Sequence, residues 1–128
     1  ALPGRAWAQP VAHRLDFASP AALAAWLQPS SGRTLVSAHR GGPVPGLPEN
    51  AIATFRHSLR AAPALIECDL QLTADSVIAI YHDDTLGRTS TGRGRLAAHT
   101  WAQLRRLRLK DNTGALTRYR MPRLEEVL

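Results

Sequence analysis

Two stretches carry the clearest structural signal in this chain: LVSAHRG at residues 35–41 and LIECDLQLTADSVIAIYHD at residues 65–83. Short apolar runs of this kind predict buried strands. Each run stops at an ionisable side chain, namely His39, Glu67 or His82. In a parallel barrel the catalytic groups gather at the C-terminal ends of the strands. The pattern therefore predicts an active site at the mouth of a barrel.

A helix joins the first two predicted strands. After a stretch rich in glycine and proline, residues 49–60 place Ile52, Phe55 and Leu59 on one helical face. The second strand is predicted over residues 65–72, so that strand, helix and strand form a βαβ unit. This unit predicts the α/β fold class.

The link to the third strand departs from this simple pattern. Residues 73–76 alone separate the second strand from the third, which is predicted over residues 77–81. A link this short favours an antiparallel hairpin, because a parallel crossover needs about a dozen residues or more. We nevertheless predict a parallel third strand, on the strength of the family resemblance described below.

Beyond the third strand the sequence predicts loops and helices. A polar loop over residues 83–95 is followed by a helix that begins at Thr100, where Gln103 completes a capping box, and by a last helix over residues 123–128. Three strands are fewer than the eight of a closed barrel, which takes roughly 250 residues. We therefore predict that residues 34–128 are the N-terminal half of a barrel domain and that residues 1–33 are a separate N-terminal segment.

The composition limits the partners of the chain. Its 128 residues contain 16 Lys and Arg against 10 Asp and Glu, which gives a net charge of +6 and suits anionic partners. The densest basic cluster, Arg105, Arg106 and Arg108, lies in a helical pattern that is typical of a solvated helix face. We therefore expect no nucleic-acid partner. No apolar stretch approaches the roughly 18 residues that span a bilayer.

The N-terminus gives a signal about location. Ala6-Trp7-Ala8, followed by Gln9, resembles the small-x-small end of an export signal. It predicts a periplasmic or secreted protein, with the cytoplasm as the alternative. The single cysteine, Cys68, excludes an internal disulfide, and nothing in the sequence predicts the oligomeric state.

The carboxylates after the second strand are candidate metal ligands. Strand geometry places Glu67 and Asp69 on one face and Cys68 on the other. Two neighbouring carboxylates repel each other, and a shared Mg²⁺ or Ca²⁺ would remove that repulsion. The alternative is a pair of carboxylates held by arginines, and the spacing alone leaves both open.

The two histidines at the strand ends are candidate acid and base. By the same alternation His39 and His82 face inward, where one could take a proton from a nucleophile and the other could give one to a leaving oxygen. Arg40 offers a planar fork for a phosphate. Together with the carboxylates these groups predict metal-assisted cleavage of a phosphoester.

Four motifs in this order resemble the glycerophosphodiester phosphodiesterases. They are His39-Arg40-Gly41-Gly42, Pro48-Glu49-Asn50, Glu67-Cys68-Asp69 and the segment from His82 to Gly92. The resemblance covers about residues 35–128. It implies a TIM-barrel hydrolase that uses a divalent cation, Ca²⁺ or Mg²⁺, to split small glycerophosphodiesters into glycerol phosphate and an alcohol.

The resemblance also implies roles for seven residues: His39, Arg40, Glu49, Asn50, Glu67, Asp69 and His82. The two histidines are expected to act as general acid and base, Glu67 and Asp69 to bind metal, and Arg40 to contact phosphate. Glu49 and Asn50 are expected to line the site. The third metal-binding glutamate of the family comes from a later strand and has no counterpart in this sequence.

Two other functions remain open. A related phosphodiesterase that acts on lysophospholipids or sphingolipids would carry the same histidines and carboxylates. A non-catalytic barrel fragment that binds phosphate would need neither histidine. We also expect the isolated 128-residue chain to be inactive, because apolar strand faces would lie in water and the third metal carboxylate is missing.

Overall fold

The computed structural model describes residues 15–28 and 34–128. Its regular elements are, in chain order, α1 (Pro20–Leu27), β1 (Val36–Ala38), α2 (Ile52–Ala61), β2 (Ala64–Ile66), β3 (Leu70–Leu72), β4 (Ile78–Ile80), α3 (Trp101–Leu104), β5 (Arg108–Lys110) and β6 (Leu116–Arg120). Single 3₁₀ turns occupy His39–Gly41, Leu96–Ala98 and Leu124–Glu126. The export-signal motif at residues 6–8 lies outside the described residues.

The predicted βαβ unit is confirmed. β1 and β2 are parallel, with Val36 opposite Ala64 and Ala38 opposite Ile66, and α2 connects them. The helix begins at Ile52, three residues later than predicted, which leaves Glu49 and Asn50 in the turn that precedes it.

A close packing contact fixes the start of this unit. Gly41 has a φ of 84°, and a Cβ at this position would lie 2.2 Å from Cδ1 of Phe55 on α2. Phe55 is buried, so its ring cannot move aside without disturbing the packing around it. The chain therefore needs glycine directly after His39 and Arg40, both for the backbone conformation and for the space.

The prediction of one strand over residues 65–72 was wrong, and so was that of a parallel third strand. Residues 67–69 interrupt the strand, and β4 runs antiparallel to β3, with Leu70 opposite Ile80. The turn between them is closed by Thr73, whose Oγ1 accepts a hydrogen bond from the Val77 N–H at 2.9 Å. The link is too short for a parallel crossover, so the local signal was the correct one.

Residues 105–121 also differ from the prediction. The capping box at Thr100 is confirmed, with the Thr100 N–H donating to Gln103 Oε1 at 2.9 Å, but α3 ends at Leu104. Arg108 lies on β5, which pairs antiparallel with β6, so the predicted helix face does not exist as such. Arg105 and Arg106 are solvated as expected. The last predicted helix is the single 3₁₀ turn near the end of the chain.

The buried core lies in the second part of the chain. It consists of one cluster that includes Tyr81, Leu86, Leu96, Leu104, Leu109 and Met121. The Tyr81 hydroxyl donates to the Leu86 carbonyl at 2.9 Å and accepts from Thr89 Oγ1 at 2.9 Å, so its polar end is satisfied inside the cluster. None of the described helices has both the length and the apolar character to cross a bilayer.

Candidate active site

The first motif forms a turn directly after β1. Arg40 has a left-handed backbone with φ 51°, and its N–H donates to Glu67 Oε2 at 2.7 Å. Glu67 in turn continues the parallel ladder, because its own N–H donates to the Ala38 carbonyl at 3.2 Å. A non-glycine residue adopts this backbone conformation at a cost that surrounding contacts must offset. The Glu67 carboxylate supplies one such contact.

The Asn50 side chain joins the second motif to the third. Asn50 Nδ2 donates to Asp69 Oδ2 at 2.8 Å, and Asn50 Oδ1 accepts from the Asp69 N–H at 3.1 Å. Asn50 also has a left-handed backbone, and its N–H donates to the Arg40 carbonyl at 2.9 Å. Because Asn50 is 2% exposed, these bonds form inside the protein and hold the two motifs in a fixed relation.

The Arg40 side chain lies between two carboxylates. Its Nη1 donates to both oxygens of Glu49, at 3.1 and 3.2 Å, and Glu49 is 4% exposed. Its Nε is 3.7 Å from Asp69 Oδ2. Within residues 15–28 and 34–128 this Nε is the one buried side-chain nitrogen or oxygen atom without a hydrogen-bond partner. A buried donor without a hydrogen bond is costly, and the negative charge of Asp69 at this distance offsets part of that cost.

The fourth motif contacts Glu49 through Asp83 and Arg88, two residues for which no role was predicted. His82 Nδ1 lies 2.6 Å from Asp83 Oδ1, and Arg88 Nε donates to Asp83 Oδ2 at 2.6 Å. Arg88 Nη2 also donates to Glu49 Oε1 at 2.7 Å. A continuous series of contacts therefore runs from His82 through Asp83, Arg88 and Glu49 to Arg40.

The charges in this series support one another. Hydrogen bonds from Arg88, and then those from His82, hold the pKa of Asp83 well below its usual range against the opposing effect of burial. Bonds to Asp83 and Glu49 raise the pKa of Arg88. Asp83 is therefore ionised and can only accept, so the proton between it and His82 belongs to Nδ1 of the imidazole. This leaves Nε2 of His82 available for proton transfer.

The hairpin of β3 and β4 sets the position of His82. The Tyr81 N–H donates to the Asp69 carbonyl at 2.9 Å, and Gln71 Nε2 donates to the His82 carbonyl at 3.0 Å. His82 thus follows directly after the residue paired with Asp69. The antiparallel arrangement, in place of the predicted parallel one, therefore sets His82 next to the residue that bonds to the Asp69 backbone.

Six of the seven predicted residues belong to one network of contacts: Arg40, Glu49, Asn50, Glu67, Asp69 and His82. The seventh, His39, begins the same turn as Arg40 and is exposed. His82 is 40% exposed, so both imidazoles are accessible to a ligand. Asp83 and Arg88 are the functional candidates that the sequence did not identify. The signal was present as an acid directly after a histidine and an arginine five residues later.

Glu67 and Asp69 are partly suited to a cation. They are hard oxygen ligands of the kind that Mg²⁺ and Ca²⁺ prefer, and the bonds from Arg40 and Asn50 involve one oxygen of each carboxylate. Among the described residues no group of three or more His, Cys, Asp or Glu side chains is arranged to hold a metal ion. The two carboxylates therefore fit as part of a coordination shell that needs further ligands.

Cys68 lies between these carboxylates. It is half-buried, and burial, followed by the charges of Glu67 and Asp69, raises the pKa of its thiol. A thiol with a raised pKa is a weak nucleophile at neutral pH. The geometry therefore favours the histidines over Cys68 as reacting groups.

Comparison with known proteins identifies relatives of this chain. The Glycerophosphoryl diester phosphodiesterase family matches over residues 39–128. A glycerophosphodiester phosphodiesterase of Bacillus altitudinis is 38% identical over 99 residues, which are 74% of this chain and 39% of that protein. Glycerophosphodiester phosphodiesterase 1 of Bos taurus is 41% identical over 75 residues, which are 59% of this chain and 22% of that protein.

Solved structures give the same result. A glycerophosphoryl diester phosphodiesterase from Parabacteroides distasonis superimposes with a TM-score of 0.71 and 52% identity, over 73% of this chain and 33% of that one. A glycerophosphodiester phosphodiesterase from Agrobacterium tumefaciens gives a TM-score of 0.65 and 28% identity, over 74% and 41%. These neighbours are TIM-barrel proteins, so the predicted fold class is confirmed. The chain spans about two fifths or less of the relatives it matches.

Proposed function

This chain belongs to the glycerophosphoryl diester phosphodiesterase family, and from that membership we propose that the protein hydrolyses glycerophosphodiesters to glycerol phosphate and an alcohol. The observation that carries the proposal is the series of contacts from His82 through Asp83, Arg88 and Glu49 to Arg40. It connects a candidate proton-transfer group to a candidate phosphate-binding group. Contacts in series of this kind fix the relative positions of reacting groups.

Arg40 is the proposed phosphate-binding residue. Its guanidinium is held by Glu49 on one side, and the side chain keeps 18% of its surface exposed. A phosphate oxygen at this exposed part would accept a charge-assisted hydrogen bond from the guanidinium. The fixed position of the guanidinium is the reason to expect the phosphate of the substrate at Arg40.

His39 and His82 are the proposed acid and base. One takes a proton from the water whose oxygen forms the new bond to phosphorus, and the other gives a proton to the alcohol oxygen as the P–O bond to it breaks. Asp83 supports His82 in this role, because an ionised carboxylate at Nδ1 stabilises the imidazolium that forms when Nε2 accepts a proton. Accessibility at both imidazoles agrees with direct contact to a substrate.

Glu67 and Asp69 are the proposed ligands of a divalent cation, Mg²⁺ or Ca²⁺. A cation bound there would offset the negative charge of the phosphate and of the two carboxylates. Arg40 and Asn50 orient both carboxylates through the bonds described above.

We further propose a periplasmic or secreted location, on the basis of the sequence motif at residues 6–8.

The decisive test is a diesterase assay on the intact protein with glycerophosphocholine as substrate. We expect release of glycerol phosphate, and we expect excess EDTA to abolish it and added Mg²⁺ or Ca²⁺ to restore it. Undiminished turnover in EDTA would remove the cation from the proposal. A parallel assay with lysophosphatidylcholine distinguishes the glycerophosphodiester substrate from a lysophospholipid, and preference for the latter would overturn the substrate assignment.

A further inference from the structure

A cavity of about 740 Å³ opens between α3, the end of β6 and the 3₁₀ turn Leu124–Glu126. We propose that this cavity, here called the arginine groove, binds a phosphate-bearing anion at a site separate from the active site. Four arginines line it, namely Arg105, Arg106, Arg120 and Arg123. None of the residues in the candidate active site contributes to its wall.

The groove carries an excess of positive charge. Four arginines stand against one acidic residue in the wall, Glu126, and Arg123 Nε also lies 3.5 Å from Oε2 of Glu125, which leaves two positive charges without a neighbouring carboxylate. Oε2 of Glu126 accepts from the Arg123 N–H at 2.9 Å, so this oxygen is engaged by the backbone. In the described parts of the chain no carboxylate lies within ion-pair distance of Arg105 or Arg106. Their guanidinium groups are available to an external anion.

One arginine is already held in place. Arg120 Nη1 donates to the Arg106 carbonyl at 2.6 Å and to the Arg105 carbonyl at 3.3 Å. This joins β6 to the residues that follow α3 and holds the Arg120 side chain in the wall of the groove. A cation held before a ligand arrives loses less conformational freedom on binding, which favours affinity. Arg105, Arg106 and Arg123 are exposed, and Arg123 is partly engaged by Glu125, so Arg105 and Arg106 are the arginines open to a ligand.

The floor of the groove is apolar and the rim is charged. Met121 is buried and Trp101 is half-buried, while the arginines surround the opening. An apolar segment that covered the groove would strand several guanidinium groups away from water, at a large cost in free energy. An anion with several oxygens would instead accept bidentate hydrogen bonds from the arginine forks. The volume lies within the usual range of small-molecule sites, roughly 300–1,000 Å³.

These features identify the ligand by its chemistry as a phosphomonoester or diphosphate with at least two negative charges. Such a group occurs in soluble phosphorylated molecules and in the headgroup of phosphatidic acid. A site of this kind does not depend on the proposed hydrolysis, because it requires neither histidine nor the carboxylate pair.

Binding of inorganic pyrophosphate to the intact protein tests the proposal. We would titrate it by calorimetry and follow Trp101 fluorescence, with Trp101→Phe to isolate the signal of the groove. The groove variant carries Arg105→Gln, Arg106→Gln and Arg123→Gln, and the control variant carries Arg93→Gln and Arg95→Gln on exposed arginines outside the groove. Arg120 is left unchanged because it ties two elements together.

We expect the groove variant to bind pyrophosphate at least about tenfold more weakly than the wild type, and the control variant to bind with unchanged affinity. A single Arg106→Gln variant should show part of the same loss and guards against misfolding of the triple variant. Equal affinity in the groove and control variants would overturn the proposal. Thermal melts confirm that each variant is folded.

Vesicles distinguish the two sources of the ligand. Binding to phosphatidylcholine vesicles that contain phosphatidic acid, lost in the groove variant, would identify a lipid headgroup; pyrophosphate binding alone would identify a soluble molecule. Affinity for neither probe would overturn the proposal. Diesterase activity of the groove variant should equal that of the wild type. A failure of the proposed hydrolysis would therefore leave the binding result intact, and the two failures are distinguishable.

Discussion

In residues 78–121 most of the large apolar side chains are buried, with Ile78 and Leu116 as exposed exceptions, whereas in residues 36–72 many of them face solvent. Leu86, Leu96 and Leu104 have no exposed surface, while Leu65, Leu70 and Leu72 are 44%, 51% and 57% exposed. The later region contains most of the buried core, and Ala51 of the earlier region packs into it. The earlier region has the parallel strands of the barrel and relies on a few contacts to hold its turns.

The candidate active site draws on both regions. Arg40, Glu49, Asn50, Glu67 and Asp69 come from the earlier one, and His82, Asp83 and Arg88 come from the later one. Besides the hairpin of β3 and β4, the two regions are joined by the bond from Arg88 to Glu49 and by a bond of 2.7 Å from the Gly46 N–H to Asp111 Oδ2. The well-packed later region therefore supports site residues that belong to the less buried earlier region. Substitutions can test this division.

The largest effect should come from removing a candidate proton-transfer group, either His39 in the earlier region or His82 in the later region. We expect His39→Ala and His82→Ala each to lower kcat at least roughly a hundredfold, the size of a lost general acid or base. His57→Ala is the matched control, because His57 is exposed on α2. Steady-state kinetics on the intact protein measure all three. Similar losses in all three variants would refute the acid and base assignment.

The second prediction concerns the tight turn of the earlier region. Gly41→Ala introduces a Cβ that meets Phe55 at 2.2 Å, whereas a Cβ at Gly46 has nothing within 4 Å. Both glycines have positive φ, so both variants bear backbone strain and Gly41→Ala alone bears the clash. We expect Gly41→Ala to lose about 2 kcal/mol more of unfolding free energy than Gly46→Ala. Denaturant melts measure the difference, and equal losses would contradict the packing argument.

The third prediction concerns the bond from Arg88 to Glu49, which joins the two regions. Arg88→Gln should lower kcat about tenfold, because His82 loses the support of a firmly held Asp83. Arg88 also lowers the pKa of Asp83, so in the variant this pKa rises and Asp83 takes up a proton at higher pH. An NMR titration of the Asp83 carboxyl should show this rise. Arg93→Gln is the control, and an Asp83 pKa that stays in place in Arg88→Gln would contradict the assignment.

The smallest effect should come from weakening the bond between the Gly46 N–H and Asp111 Oδ2. Bonds from Thr113, Gly46 and Ala115 lower the pKa of Asp111 to about 2. An unfolded Asp has a pKa of about 3.9, so this group stabilises the fold above that pH and the stabilisation is lost as pH falls through about 2. Asp111→Asn should lower Tm by a few degrees at pH 7, and the gap to the wild type should narrow below pH 4.

Asp84→Asn, at an exposed carboxylate, is the control for that series. Thermal melts between pH 2 and pH 7 give the comparison. A gap that stays constant across this range would mean that the Asp111 carboxylate does not connect the two regions through its charge.

Local signals in the sequence predicted the local structure well. The capping box at Thr100 and the helix between the parallel strands both appear in the structure. The short link also indicated the hairpin of β3 and β4, but the prediction followed the family resemblance instead. The strands β5 and β6 were missed because β5 is three residues long and carries two basic side chains. Strand pairing over such a length depends on the partner strand.

By itself the sequence determined the order of the motifs, the ends of several elements and the residue types of the site, because these depend on neighbours along the chain. Only the tertiary structure decided that Arg88 bonds to Glu49, 39 residues away, and that Asn50 bonds to Asp69, 19 residues away. It also decided that Arg40 keeps a buried Nε without a partner. Contacts between distant residues follow from how the two regions pack, and no periodicity in the sequence encodes the path that brings them together.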